Sequence, residues 1–269
     1  MPKIGFLGFG NMAQAIAKGI IESGFVNDKE IAVYDPDERQ IAKFGKNIAA
    51  SESALHLVKQ VRYVFICVKP QVIEDALESI TDGLTKNHIL ISIAAGVTVE
   101  RIGSVTGGIC PVVRVMPNTP LLLASGSTAI GRPKDIEDAD YSFIEDVFSC
   151  VGTVYEIPLD KFNEVIPVNA SSPAFVYLFA KSLAESAVKH GLDYSTALNM
   201  VSDTLIGSAK MLQNTGYSVD ELIEMVSSKG GTTESALKTM KERGFVSSLE
   251  DGFDSCVARA YELGNGNNN

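Results

Sequence analysis

The chain has 269 residues, enough for one large domain or two ordinary ones, and 45% of them are hydrophobic, ample for a packed core. Its 33 Asp and Glu against 23 Lys and Arg give a net charge of −10, which argues against nucleic acid and leaves any anionic ligand to local donors. No apolar run reaches the roughly 20 residues of a membrane span, and the four cysteines and three histidines are scattered, so neither a membrane nor a metal is expected.

The first element is a short apolar strand, Lys3-Ile4-Gly5-Phe6-Leu7, leading into Gly8-Phe9-Gly10-Asn11-Met12-Ala13. A helical pattern follows, with Ala13, Ile16, Ala17, Ile20 and Ile21 on one face. Strand, tight turn and helix are the required context of the dinucleotide-binding fingerprint. Gly8 permits the turn, Gly10 lets a pyrophosphate approach the backbone, and Ala13 allows close helix–strand packing. A second strand over 31–34 ends at Asp35, the spacing of a ribose-binding carboxylate, which favours NADH over NADPH; Arg39 is near enough in sequence to compensate. Because the first strand starts almost at once, no signal peptide is expected, and the protein is read as cytoplasmic.

Alternation continues to about residue 158. A polar helix is expected over 37–44, a weak strand over 47–49, a helix over 53–59 and a continuous apolar strand over 63–68. Strands over 88–94, 111–115 and 127–130, a helix over 136–150 and a last strand over 153–156 complete a mostly parallel, doubly wound sheet. In such sheets ligands lie at the carboxyl ends of the strands. Three loops sit there. In Val68-Lys69-Pro70, Lys69 is either a contact to the cofactor or a solvated loop lysine. Ala95-Gly96 is either a small-residue platform for a flat ligand or an ordinary strand-to-helix turn. Asn118, framed by Pro117 and Pro120, either orients a ligand or closes the turn.

From residue 161 the strand patterns disappear. Ser171-Ser172-Pro173 opens a helix carrying Phe175, Leu178, Phe179, Leu183 and Ala187, and further helices are expected over 195–212, 219–226, 233–241 and 247–263. The reading is thus an α/β fold: a Rossmann-type domain, 1–160, followed by an all-α domain, 161–269. The apolar surface of five helices suggests a bundle that pairs with another subunit. The tail from 264 to 269 is expected to be disordered.

Ser227-Ser228-Lys229-Gly230-Gly231-Thr232-Thr233-Glu234 leads straight into the helix over 233–241. A helix start presents unpaired N–H groups and positive potential; glycines let an anion approach, and hydroxyls add donors. The run is either a cradle for a small carboxylate or phosphate or an ordinary N-cap after a glycine turn. A dinucleotide domain followed by an anion site suggests hydride transfer to a small acid. No Ser/His/Asp set or carboxylate pair offers a rival chemistry, and neither cradle presents an obvious acid. Reduction of a C=N bond needs the least acid help, because the imine can arrive protonated.

These residues resemble the pyrroline-5-carboxylate reductase family over nearly the whole chain. The resemblance lies in 4–12, 68–70, 92–97, Arg114-Val115-Met116-Pro117-Asn118-Thr119-Pro120, 171–174, Gly207-Ser208-Ala209-Lys210-Met211 and Gly230-Gly231-Thr232-Thr233 to Gly244-Phe245. It implies reduction of 1-pyrroline-5-carboxylate to proline with NADPH or NADH and no metal. Gly8, Phe9, Gly10, Asn11 and Met12 would hold the pyrophosphate, with Asp35, Val68, Lys69, Pro70, Ala95 and Gly96 along the cofactor and Asn118 near the nicotinamide. Ser228, Gly230, Gly231, Thr232 and Thr233 would hold the substrate carboxylate, and the Thr233 hydroxyl would bond the ring nitrogen. The family implies a homodimer with interleaved helical domains, sometimes built into larger rings. The chain departs from the family at Asp35, at Lys229 (usually proline) and at Asn169-Ala170 (usually serine–glycine). Two other readings use the same residues: a reductase of another imine or 2-hydroxy acid, and a non-catalytic dinucleotide-binding regulator.

Overall fold

A computed structural model describes residues 3–45 and 48–264. The expectations on Asn47 and on residues 265–269 lie outside the described residues, whereas Gly264, expected in a disordered tail, ends a helix. Eight strands form one sheet: β1 (Ile4–Leu7), β2 (Ile31–Tyr34), β3 (Ala49–Ala50), β4 (Tyr63–Ile66), β5 (Ile89–Ser92), β6 (Val112–Pro117), β7 (Gly126–Gly131) and β8 (Gly152–Glu156). The helices are α1 (Asn11–Glu22), α2 (Glu38–Phe44), α3 (Ala54–Val58), α4 (Ile73–Thr81), α5 (Val99–Thr106), α6 (Asp138–Ser149) and α7 (Val165–Val168). They continue with α8 (Ser172–Lys189), α9 (Tyr194–Asn214), α10 (Val219–Val226), α11 (Thr232–Glu242) and α12 (Phe245–Gly264). By contacts the chain divides into Met1–Ser171 with Cys256–Asn269, and Ser172–Ser255. The helix α12 thus contributes residues to both units.

In the first unit the strand order is β3-β2-β1-β4-β5-β6-β7-β8, parallel except at β6–β7. The first six strands follow the order of a doubly wound nucleotide-binding sheet, whose ligand crevice opens where the order reverses, between β1 and β4. β1, β4 and β5 are buried at every residue because helices cover both faces. On one face Ile16, Ile20, Ile144 and Phe148 pack on Phe6 and Phe65. On the other, Leu57, Ile73, Leu77, Ile80 and Ile102 pack on Val64, Ile66 and Leu90. Each such side chain contributes roughly 1.5–3 kcal/mol of burial. At the strands' amino ends the buried Asp140 of α6 accepts from Tyr63 Oη at 2.7 Å and from Arg62 Nη2 at 2.6 Å. This fixes a helix to the sheet across nearly eighty residues of sequence.

The sequence reading names no helix over 73–81 or 99–106, where α4 and α5 stand. The apolar strand expected over 63–68 leaves the sheet at Ile66, so Cys67 to Pro70 form the loop at its carboxyl end.

The second unit is made of helices only. The amino ends of α9 and α10 are fixed by Asp193, which accepts from Thr196 N at 2.8 Å, and by a capping box between Ser218 and Glu221. In α8 only Ala180 and Ala184 are buried, whereas Tyr177 and Leu178 are exposed at 61% and 65%. Met200, Ile206 and Leu212 of α9 are equally open. Much of the apolar surface of α8 and α9 is thus uncovered.

Candidate functional site

The turn after β1 has an open helix start and two glycines with distinct tasks. Gly8 has φ +86°, and a Cβ there would come within 2.9 Å of the Cys67 carbonyl and of Val68 Cγ1, so glycine is required twice over. Gly10 precedes α1 without a side-chain cap, and a Cβ at Gly10 would meet nothing within 4 Å. The space above the helix start is therefore clear, and the first amides of α1, from Asn11 and Met12 onward, have no intrahelical acceptor. Gln14 braces the turn, its Nε2 donating to the carbonyls of Phe9 at 2.8 Å and Gln40 at 3.0 Å.

Phe9 itself is built into the core: it is fully buried between Phe6 and Phe44, and its N–H donates to Asp35 Oδ2 at 2.7 Å. It shapes the loop from beneath, with neither side chain nor amide left for a ligand. Asp35 is half-buried, and its other oxygen accepts from Asp37 N at 2.9 Å. The carboxylate thus ties the loop after β1 to the loop after β2 while keeping free lone pairs at the end of β2. Arg39 forks onto Asp37, with Nε–Oδ1 at 2.7 Å and Nη2–Oδ2 at 3.0 Å, and this pairing holds the Asp37 carboxyl below its ordinary range.

Lys69 is exposed at the start of the turn through Pro70, and Val68 packs toward Gly8. Ala95 is half-buried, whereas Gly96, at φ +75°, is buried under Ala260 and Leu263 of α12. The open part of that platform is Ala95; Gly96 supports it from within. The Asn118 side chain is buried: Oδ1 accepts from Ser127 N at 2.9 Å, and Nδ2 donates to the Asn169 carbonyl at 3.4 Å. Of the two roles open to this amide, closing the turn is the one its bonds serve. Asn169 returns the contact, donating from Nδ2 to the Met116 carbonyl at 2.6 Å. Ala170 is not among the positive-φ residues, so a methyl group at this glycine position of the family brings no backbone strain. Arg114 lies buried with its guanidinium 4.8 Å over the Phe162 ring, and burial lowers its pKa to about 10.

In the second unit, Gly230 turns the chain at φ +73° and Gly231 precedes α11 without a side-chain cap. A Cβ at Gly231 would lie 2.6 Å from Ser228 Oγ, so the glycine lets the Ser228 hydroxyl close over the helix start. The Gly230 amide donates to Glu234 Oε2 at 2.6 Å, which fastens the loop and leaves that N–H occupied. The amides of Thr232 and Thr233 are first-turn donors with no acceptor inside the helix. Thr233 is half-buried, and Ser228, Lys229 and Thr232 are exposed. An open groove of about 760 Å³ runs beside the loop, lined by Gly230, Gly231, Ile223, Leu237 and Lys238 among others.

Comparison with known proteins matches both parts of the chain. Residues 160–263 match the pyrroline-5-carboxylate reductase dimerisation family, and residues 3–96 the coenzyme F420-dependent NADP oxidoreductase family. A pyrroline-5-carboxylate reductase of Escherichia coli strain K12 is 35% identical over 265 residues, 97% of this chain and 98% of the relative. One from Arabidopsis thaliana is 31% identical over 97% of this chain and 95% of its own length. The crystal structure of Plasmodium falciparum pyrroline carboxylate reductase with NADP bound superposes with a TM-score of 0.91 at 27% identity, covering 98% of each chain. With a Rossmann-type unit, a helical unit and full-length relatives of this kind, the chain belongs to the pyrroline-5-carboxylate reductase family.

Proposed function

We propose that the protein reduces 1-pyrroline-5-carboxylate to L-proline, as an NAD(P)H-dependent oxidoreductase acting on a C=N bond in the last step of proline biosynthesis. The observation that carries the substrate side is the uncapped start of α11, where the amides of Thr232 and Thr233 and the hydroxyl of Ser228 converge. These groups hold the substrate carboxylate, favoured by the helix dipole. Glu234 keeps the Gly230 turn closed and so presents the donors as one preformed set.

When bound, the reduced nicotinamide supplies the hydride. The Thr233 hydroxyl bonds the ring nitrogen and fixes the orientation of the imine carbon. That nitrogen arrives protonated, so addition at carbon sends the C=N π pair to nitrogen and yields the secondary amine without an acid residue. Gly8, Gly10, Asn11 and Met12 take the pyrophosphate, Val68, Lys69, Pro70 and Ala95 line the path along the cofactor, and Asn118 and Gly96 shape it. Asp35 receives the ribose hydroxyls. The preferred cofactor is NADH: a 2′-phosphate would meet the Asp35 and Asp37 carboxylates, and Arg39 is already paired with Asp37.

The helical domain, residues 161–269, also serves as the dimerisation surface, supported by the exposed apolar faces of α8 and α9. Four cysteines without a disulfide suit a cytoplasmic site of action. The test is to follow NADH and NADPH oxidation separately with 1-pyrroline-5-carboxylate. Turnover with both, faster with NADH, is expected; no oxidation of either overturns the assignment.

A further inference from the structure

The last turns of α12 close over the loop that follows β5. A Cβ at Gly96 would fall 2.9 Å from Leu263 Cβ and 3.0 Å from the Ala260 carbonyl; a Cβ at Gly264 would fall 2.8 Å from the Gly96 carbonyl. Two glycines thus let backbone lie on backbone. At this contact Arg101, in the first turn of α5, points its guanidinium both ways. Nη1 donates to the Leu263 carbonyl at 2.8 Å, one of the orphan acceptors at a helix end. Nε and Nη2 reach Glu74 Oε1 at 3.0 and 2.9 Å. Glu74 lies in the first turn of α4, just beyond the turn through Lys69 and Pro70. The Arg101 side chain is 16% exposed, which shields its bond to the Leu263 carbonyl from competing water, whereas its Glu74 partner is 54% exposed.

We propose that Arg101 is a positioning residue for the dinucleotide, locking the end of α12, the 94–98 loop and the head of α4 into one rim around the cofactor. The proposal rests on the cofactor reading of the Rossmann-type unit. A guanidinium is the side chain for this task, because its donors lie in a fixed plane and reach two acceptors in different directions; an ammonium on a flexible stem holds one well. Without the fork the Leu263 carbonyl loses its donor and the cover over Gly96 loosens. Gly96, at positive φ, is then free to sample many conformations, and the ordering is deferred to the moment of cofactor binding.

The test is direct titration of NADH by its fluorescence, alongside steady-state kinetics. Arg101→Met is expected to weaken NADH binding roughly tenfold and to raise the NADH KM in step, with kcat at saturation and the substrate KM changed less than twofold. Arg101→Lys should recover only part of the loss. Gly264→Ala, which pushes on the Gly96 carbonyl from the other side with Arg101 intact, should also weaken NADH binding. Unchanged NADH affinity in Arg101→Met, or a fall in kcat at constant KM, overturns the proposal. If Arg101→Met fails to fold, Glu74→Gln and Gly264→Ala decide: weakened binding supports it, and wild-type affinity in both overturns it. A wild-type protein that binds neither NADH nor NADPH would remove the cofactor reading itself, an outcome distinct from normal binding by the variants.

Discussion

Asp35 combines two tasks that pull on different atoms. Its carboxylate accepts the Phe9 and Asp37 amides, and in the proposed cofactor site its charge would oppose a 2′-phosphate. Asp35→Asn keeps an oxygen for one amide while removing the charge, so it should shift the NADPH-to-NADH ratio of kcat/KM upward by about tenfold, the scale of one charge contact near a surface. A ratio equal to wild type would show that another residue reads the 2′ position. Thr233→Ala deletes the hydroxyl assigned to the ring nitrogen and leaves the α11 amides in place. Turnover should drop roughly 10²-fold with NADH affinity retained, since the lost bond matters most in the transition state. At this scale Gly8 and Gly10 were legible because a turn and an open helix start demand them whatever the rest of the chain does. The surroundings of Phe9, Gly96 and Asn118 were not, since what occupies each depends on partners far away in sequence: Asp35, Leu263 and Asn169. A donor in a motif reads the same whether it awaits a ligand or already has an acceptor.

Among the elements, boundaries followed their chemical signals. Residues 31–34 and 219–226 were read to the residue, because β-branched and apolar runs end at Asp35 and a Ser218 capping box opens α10. The missed helices α4 and α5 are short segments between strong strands, yet both carry signs. Ile73, Leu77 and Ile80 recur at helical spacing, and α5 runs from Thr98 as N-cap to Gly107 at φ +70°. The Thr98 hydroxyl accepts from Arg101 N at 3.2 Å. Thr98→Ala should therefore cost about 1 kcal/mol in urea denaturation, the usual value of a cap; a change under about 0.3 kcal/mol would mean that tertiary packing alone holds the helix start. The uncapped start of α11 was legible for a related reason. Two glycines beside hydroxyls make a helix start whose donors no local side chain can satisfy, and Glu234 binds Gly230 instead of capping α11 from Gly231.

For the molecule as a whole, stability and the proposed assembly reside in different places. The first unit rests on its sheet and on the contact from Tyr63 and Arg62 to Asp140. Asp140→Ala leaves a buried phenol without an acceptor and should destabilise by roughly 2–4 kcal/mol, read as a lower denaturation midpoint. Adding Tyr63→Phe should recover part of this; no recovery would place the loss in packing. The second unit buries few side chains of its own, so if α8 carries the proposed dimer contact, Leu178→Asp on its open face should turn that dimer into a monomer in size-exclusion chromatography with light scattering. A dimer that survives the change would place the interface elsewhere. The division into a sheet domain and a helical domain was visible in the switch of hydrophobic period near residue 160. What no period could reveal is that α12 ends against the sheet unit, with Ala260 packed among Met116, Ala129, Phe162 and Ile166. This bears on synthesis at the ribosome. A nascent chain whose first 171 residues have emerged still lacks Ala260, the Leu263 carbonyl and the backbone that covers Gly96, so the 94–98 loop stays uncovered until residue 264 has been made. A chain that stopped before Ala260 would carry every motif of the proposed dinucleotide site and lack the cover over Gly96.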